Sequence, residues 1–142
     1  VTNLLRRRAD LIAALVLVYA ALGFGYPGIM YLLFPVKMGA SWDFAPTSAF
    51  AVSNIRLGFG AFHLGVAVMA LLALAAKQFR FGLLTVAVFA VLAVATRAFG
   101  LAVDGIHPRS LLVLSGEAVS TTIFLIGLFI HTRFGETRGV VK

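Results

Sequence analysis

Apolar residues fall into four long runs separated by short polar segments, at about residues 11–34, 48–76, 81–103 and 110–130. Each run is about 20 residues or longer, enough at 1.5 Å of rise per residue to cross a hydrocarbon core of roughly 30 Å. Neither strict alternation nor a one-sided apolar stripe marks them, so they read as helices with apolar surface all round. The segments between them carry the punctuation expected of turns. Trp42-Asp43 with Pro46 lies in the first, Lys77-Gln78-Phe79-Arg80 in the second, and Asp104-Gly105 with Pro108 in the third. Short connections make consecutive helices antiparallel neighbours. The expected fold is all-α: one integral-membrane domain over residues 1–142, built as a four-helix antiparallel bundle.

Some local features refine this pattern. Asn3 or Asp10 is a candidate cap for the first helix, and Tyr26-Pro27-Gly28 interrupts its last third. Proline removes a backbone donor, which a membrane helix tolerates where neighbours satisfy the freed carbonyl. The segment from Pro35 to Thr47 reads as loop, with Trp42 as an interfacial anchor. Gly58, Ala61 and Gly65 form a small-residue stripe that lets another helix approach closely. The tail from His131 to Lys142 is polar and basic and reads as frayed. Arg6-Arg7-Arg8 before an apolar run is also how a signal peptide begins, and Val18-Tyr19-Ala20 fits a small-residue cleavage rule. The run nevertheless continues to Phe34, so an uncleaved first span is the expectation.

Composition agrees with a lipid solvent. Hydrophobic residues make up 61% of the chain and charged residues 12%, about half the charge of a soluble domain. The net charge of +7 would suggest nucleic acid in a soluble protein, but most cations flank the apolar runs. Arg6, Arg7, Arg8, Lys77, Arg80, Arg133, Arg138 and Lys142 fall on one side, against Lys37 and Arg109 on the other. Eight against two predicts both termini in the cytoplasm and a multi-pass protein of the inner (plasma) membrane. Cysteine is absent, which excludes disulfides and thiolate chemistry.

Polar residues inside the spans are the informative exceptions. A guanidinium at membrane depth is costly and must be compensated. Counted inward from the turns, Arg56, Arg97 and Glu117 each lie roughly 10 Å deep, and Tyr26-Pro27 falls at a similar level. Four runs thus place a polar or kinking element in one layer. Arg97 and Glu117 are expected to pair, with Asp104 balancing Arg56, and with Asn54 and Tyr26 at the rim. Arginine suits such a site because its fork can hold a carboxylate and a second acceptor together. An ion-pair network that only fixes helix register is the plainer reading of the same residues. His63 sits mid-span without a histidine partner at ligand spacing, so neither metal nor haem is expected.

The combination Asn54-x-Arg56 followed by Gly58 to Gly65, then Arg97-x-x-Gly100-x-x-x-Asp104-Gly105-x-x-Pro108, then Glu117, resembles the domain-of-unknown-function 4345 family of small bacterial membrane proteins. The resemblance implies four membrane helices and no known activity or cofactor. The leading expectation is a non-enzymatic membrane protein, with no catalytic residues. Its Arg56, Arg97, Glu117, Asp104, Asn54 and Tyr26 would form an outer-leaflet site for a polar or anionic small molecule or lipid headgroup. The alternatives are an accessory subunit, packing through Gly58, Ala61 and Gly65 on other membrane subunits or on a second copy, and a proton-coupled carrier using Glu117. Membrane lipids are the expected surroundings, and nucleic acid is not an expected partner.

Overall fold

The computed structural model describes residues 2–135. Among them the chain is helical throughout, apart from short turns, and contains no strand. The elements are α1 (Thr2–Leu33), α2 (Pro35–Ser41), α3 (Ala49–Ile55), a π-wound segment (Arg56–Ala61), α4 (Phe62–Ala75), α5 (Phe79–Val103), α6 (Pro108–Ile130) and a second π-wound segment (His131–Gly135). Four stretches are long and apolar enough to cross a membrane: Asn3–Leu33, Ala49–Ala75, Phe79–Val103 and Pro108–Gly135. Four long apolar helical stretches are therefore present where the apolar runs predict them, with shifted ends.

The shifts have local causes. The first helix begins at Thr2 rather than near Leu11, because alanine, leucine and arginine are all strong helix formers and nothing in residues 2–10 breaks the run. Neither Asn3 nor Asp10 caps it. Pro27 lies within α1 without ending it. The segment expected as loop contains α2, whose first residue is Pro35, where a missing N–H costs nothing. Ser48 caps the next helix by accepting from the Ala51 amide at 3.1 Å. The turn after α4 puts Lys77 at φ 56°, with the Gln78 amide on the Ala73 carbonyl and the Lys77 amide on the Leu74 carbonyl. That pattern closes the helix end as a Schellman motif. Gly105 at φ +101° supplies the backbone that the Asp104-Gly105 turn needs. At the C-terminal end the helix continues through Gly135 instead of fraying at His131. Arg138 and Lys142 lie outside the described residues.

Burial is uneven along the bundle. The core consists of Ala13, Leu17, Ala20, Val66, Ala70, Leu83, Val86 and Phe124 with their neighbours. All of these lie toward the end of the bundle where α1 begins and the second π-wound segment lies. In α5 the buried residues stop at Ala90, and in α6 they begin only at Thr121. Small residues make the tight half possible. A Cβ on Gly82 would meet the Ala73 side chain at 2.6 Å and Leu17 at 3.0 Å.

Toward the far end the bundle separates into two helix pairs. α1 stays against the second span. A Cβ on Gly28 would come within 2.9 Å of the Leu64 backbone, and one on Gly60 within 3.2 Å of the Leu32 amide. α5 and α6 stay against each other. Between the pairs the far half opens as a fork.

In this far half the glycines that carry close contact between α1 and the second apolar stretch are therefore Gly28 and Gly60. Gly58 and Gly65, expected as a packing stripe, have open space where a Cβ would stand, and Ala61 is exposed. Among the described residues nothing packs within 4 Å of a Cβ placed at Gly58 or Gly65. Gly28→Leu is expected to destabilise the protein by roughly 1–3 kcal/mol through overpacking, whereas Gly58→Leu leaves intrinsic stability nearly unchanged. Unfolding of the two variants by titrated SDS in mixed micelles measures the difference.

Candidate functional site

Arg97 of α5 and Glu117 of α6 form the ion pair expected from depth and charge. Nε donates to one carboxylate oxygen at 2.6 Å, and a terminal guanidinium nitrogen donates to the other at 2.7 Å. The two parallel bonds fix orientation as well as distance. The pair is partly rather than fully enclosed, with side-chain exposures of 34% and 25%.

The other members of the expected cluster stand elsewhere. Arg56 is not beside Asp104. Its Nε donates to the Leu32 carbonyl at 3.1 Å, at the far end of α1. That carbonyl belongs to the last turn of a helix, where no further amide follows in register. A cation there also meets the negative end of the helix dipole. Asp104 ends α5 in an exposed position, and Asn54 and Tyr26 are exposed, Tyr26 at 69%. Depth alone grouped these residues.

The fork holds a cavity of about 750 Å³ that the sequence did not disclose. Tyr19, Gly23, Phe24 and Pro27 of α1 line one wall with His63 of α4. Ala90 and Ala93 of α5 and the Val113–Phe124 stretch of α6, Glu117 included, line the other. Tyr19, Gly116 and Val119 are exposed as well as cavity-lining, so the cavity opens sideways between α1 and α6. The walls are mostly apolar, with a polar line across the middle. The Tyr19 hydroxyl lies 2.9 Å from Ser120 Oγ, and His63 Nδ1 lies 2.6 Å from the Phe59 carbonyl within the π-wound segment. Rings of Phe24 and Tyr31 each stand 6.0 Å from the His63 ring.

Arg109 ties the far tips of the fork together. It reaches Asp43 at 3.3 Å and the Ser41 carbonyl, and its guanidinium lies 4.9 Å above the Trp42 ring. Trp42, expected as an interfacial anchor, is thus part of a clasp between the first loop and the start of α6. Arginine stacked on an indole with a carboxylate alongside combines cation–π and ionic attraction.

At the opposite end His131 is 7% exposed and places Nε2 3.3 Å from Asp10. Phe79 packs edge-on against its ring. This contact joins the last helical stretch to the first and was not foreseen, because Asp10 was read as a candidate cap of the first helix and His131 as the start of a frayed tail. Among the described residues, no three His, Asp or Glu side chains gather as a metal site.

No family model, curated protein or solved structure matches the chain.

Removing the charges at residues 97 and 117 singly and together (Arg97→Met, Glu117→Gln) is expected to reveal a coupling of about 1–2 kcal/mol, reduced from a fully buried pair by partial exposure. The same cycle on Arg56→Met and Asp104→Asn should give none. Chemical unfolding in micelles measures both cycles.

Proposed function

We propose that the protein is a non-enzymatic, four-span membrane protein that holds a lipid-soluble, polar-headed molecule in the fork. The observation that carries this reading is the cavity itself: large enough for a small amphiphile, apolar along its walls, polar across its middle, and open toward the side of the bundle. Pockets of this size and lining are the usual form of small-molecule sites. Intramembrane ionisable groups such as Glu117 default to function. The resemblance to the domain-of-unknown-function 4345 family is compatible with the reading and adds no activity to it.

The expected arginine layer enters this proposal in a changed role. Arg97 neutralises Glu117 and Arg56 closes the end of α1, so neither guanidinium presents itself to an anion in the cavity. The carrier alternative is weakened by the same geometry, since both oxygens of Glu117 are held by Arg97. The accessory-subunit alternative keeps one supporting observation, the uncovered stripe at Gly58 and Gly65. If it is right, Gly58→Leu releases co-purifying chains.

We propose further that both termini face the cytoplasm of a cell bounded by an inner (plasma) membrane, on the bias of lysine and arginine toward the end of the bundle that holds them. The native chain has no cysteine, so single cysteines report cleanly. Ala45→Cys is expected to react with an impermeant maleimide on intact cells, and Gln78→Cys only after lysis. The reverse pattern inverts the topology.

Occupancy is tested by filling the cavity. Gly116 lines it and has open space in place of a Cβ, so Gly116→Leu adds volume without a clash. Extraction into native lipid discs followed by mass spectrometry is expected to find a bound small molecule with the wild-type chain and none with Gly116→Leu. Equal lipid profiles from two folded proteins would refute the binding reading.

A further inference from the structure

The polar groups around the cavity differ in what their hydrogens do, and this narrows the ligand. Hydrogen-bond donors engaged within the protein cannot serve a guest, whereas acceptors with spare lone pairs can. The Ser115 hydroxyl donates to the Leu112 carbonyl at 2.7 Å. The Ser120 hydroxyl donates to the Gly116 carbonyl at 3.1 Å, so the 2.9 Å contact with Tyr19 uses the Tyr19 hydrogen. A carbonyl can only accept, so the 2.6 Å contact of His63 with Phe59 places the proton on Nδ1. In the neutral ring Nε2 is then a bare lone pair, and no described residue engages it. Glu117 has two oxygens, each taking one bond from Arg97 and each with a lone pair left. Arg97 itself is not part of the lining, so the pair turns its negative end toward the cavity.

The backbone adds one more acceptor. Pro27 has no N–H, so the Gly23 carbonyl one turn earlier loses its α-helical donor. Both residues line the cavity. Every polar side chain in the lining thus offers acceptors, and none offers a free hydrogen.

We propose, resting on the binding reading above, that this cavity selects amphiphiles whose head donates hydrogen bonds, a hydroxyl or a primary ammonium, and rejects anions and heads without donors. A head of this kind meets Ser120, Glu117 and His63 Nε2 together, while its chain lies along Phe24, Val113 and Phe124 and leaves between α1 and α6. An anion would meet lone pairs and the negative end of an ion pair, with no donor to replace its lost water. The expectation of an anionic ligand is reversed by this accounting.

The test uses four probes of equal chain length and the full protein in zwitterionic nanodiscs at pH 8. They are 1-O-dodecylglycerol, dodecylammonium, dodecyltrimethylammonium and dodecanesulfonate. Native mass spectrometry reads occupancy, and the 15N resonances of selectively labelled histidine read the tautomer. The expected result is binding of dodecylglycerol and dodecylammonium about tenfold or more above the other two, the scale of one or two hydrogen bonds. His63 is expected in the Nδ1–H form, with its Nε2 signal moving when either donor probe is added. Ser120→Ala and His63→Phe should each weaken the donor probes several-fold, and His63→Phe keeps a ring in place of the imidazole. Binding of dodecylammonium alone sustains the proposal and assigns the head to an ammonium, and dodecylglycerol alone assigns it to a hydroxyl. Equal binding of the sulfonate or of the trimethylammonium probe overturns donor selection while leaving a binding cavity. No binding of any probe, with Gly116→Leu indistinguishable from wild type, overturns the cavity reading as well.

Discussion

The bidentate pair between Arg97 and Glu117 is the constraint from which the far half of the molecule takes its shape. A guanidinium and a carboxylate midway along long apolar helices need a partner, and the fork geometry of arginine permits little play once both oxygens are engaged. The pair therefore commits α5 and α6 to each other at a level where neither buries a residue against α1. α1 is committed as firmly to the second span, through backbone contact at Gly28 and Gly60 and through the Arg56 bond to the Leu32 carbonyl. Two rigid pairs that share a core only in one half must diverge in the other. The cavity follows from how the helices are paired and needs no special wall.

How much of this could be read in the sequence depends on whether the partner is a side chain and whether depth decides the contact. The four long apolar helical stretches were legible because their apolar runs are long and their turns carry strong punctuation. The Arg97–Glu117 pair was legible because two opposite charges at equal depth on adjacent helices have few other places to go. Arg56 was given an acid as its partner, whereas its Nε donates to the Leu32 carbonyl. Rise per residue gives height along a helix axis and says nothing of rotation about it, and a backbone carbonyl is invisible to a search for acids. Asp104 failed for the related reason that a helix-terminal residue follows the turn rather than the face below it. Asp10 and His131 were assigned to solvated ends, although helix continued past both expected boundaries and carried them into contact.

The small residues show the same limit. Gly58, Ala61 and Gly65 have helical spacing, yet the close approach falls on Gly60 and Gly28. Between Arg56 and Ala61 the helix is π-wound, so spacing counted at 3.6 residues per turn assigns the wrong face beyond that point. A pattern that is correct in a regular helix loses its phase at an irregularity that no single residue announces.

That irregularity is also where the interest of the fold lies. Non-helical or loosened backbone at membrane depth is tolerated where it is enclosed by protein or lines a cavity. Here the two interruptions occur on the same wall, Pro27 in α1 and the π-wound segment in the facing span, and the groups they release or reorient lie at the fork. Pro27 deprives the Gly23 carbonyl of its donor, and the Phe59 carbonyl within the π-wound turn holds His63 by Nδ1. Had stability alone shaped this wall, regular helices would have met the same packing demand with fewer unsatisfied acceptors. On the opposite wall the backbone is regular and the polar work is done by side chains, Glu117 and Ser120. One wall contributes acceptors by bending its backbone and the other by pairing its charge. Both bring lone pairs to the same small volume, and that convergence is the physical reason to regard the fork as a site rather than as a packing defect.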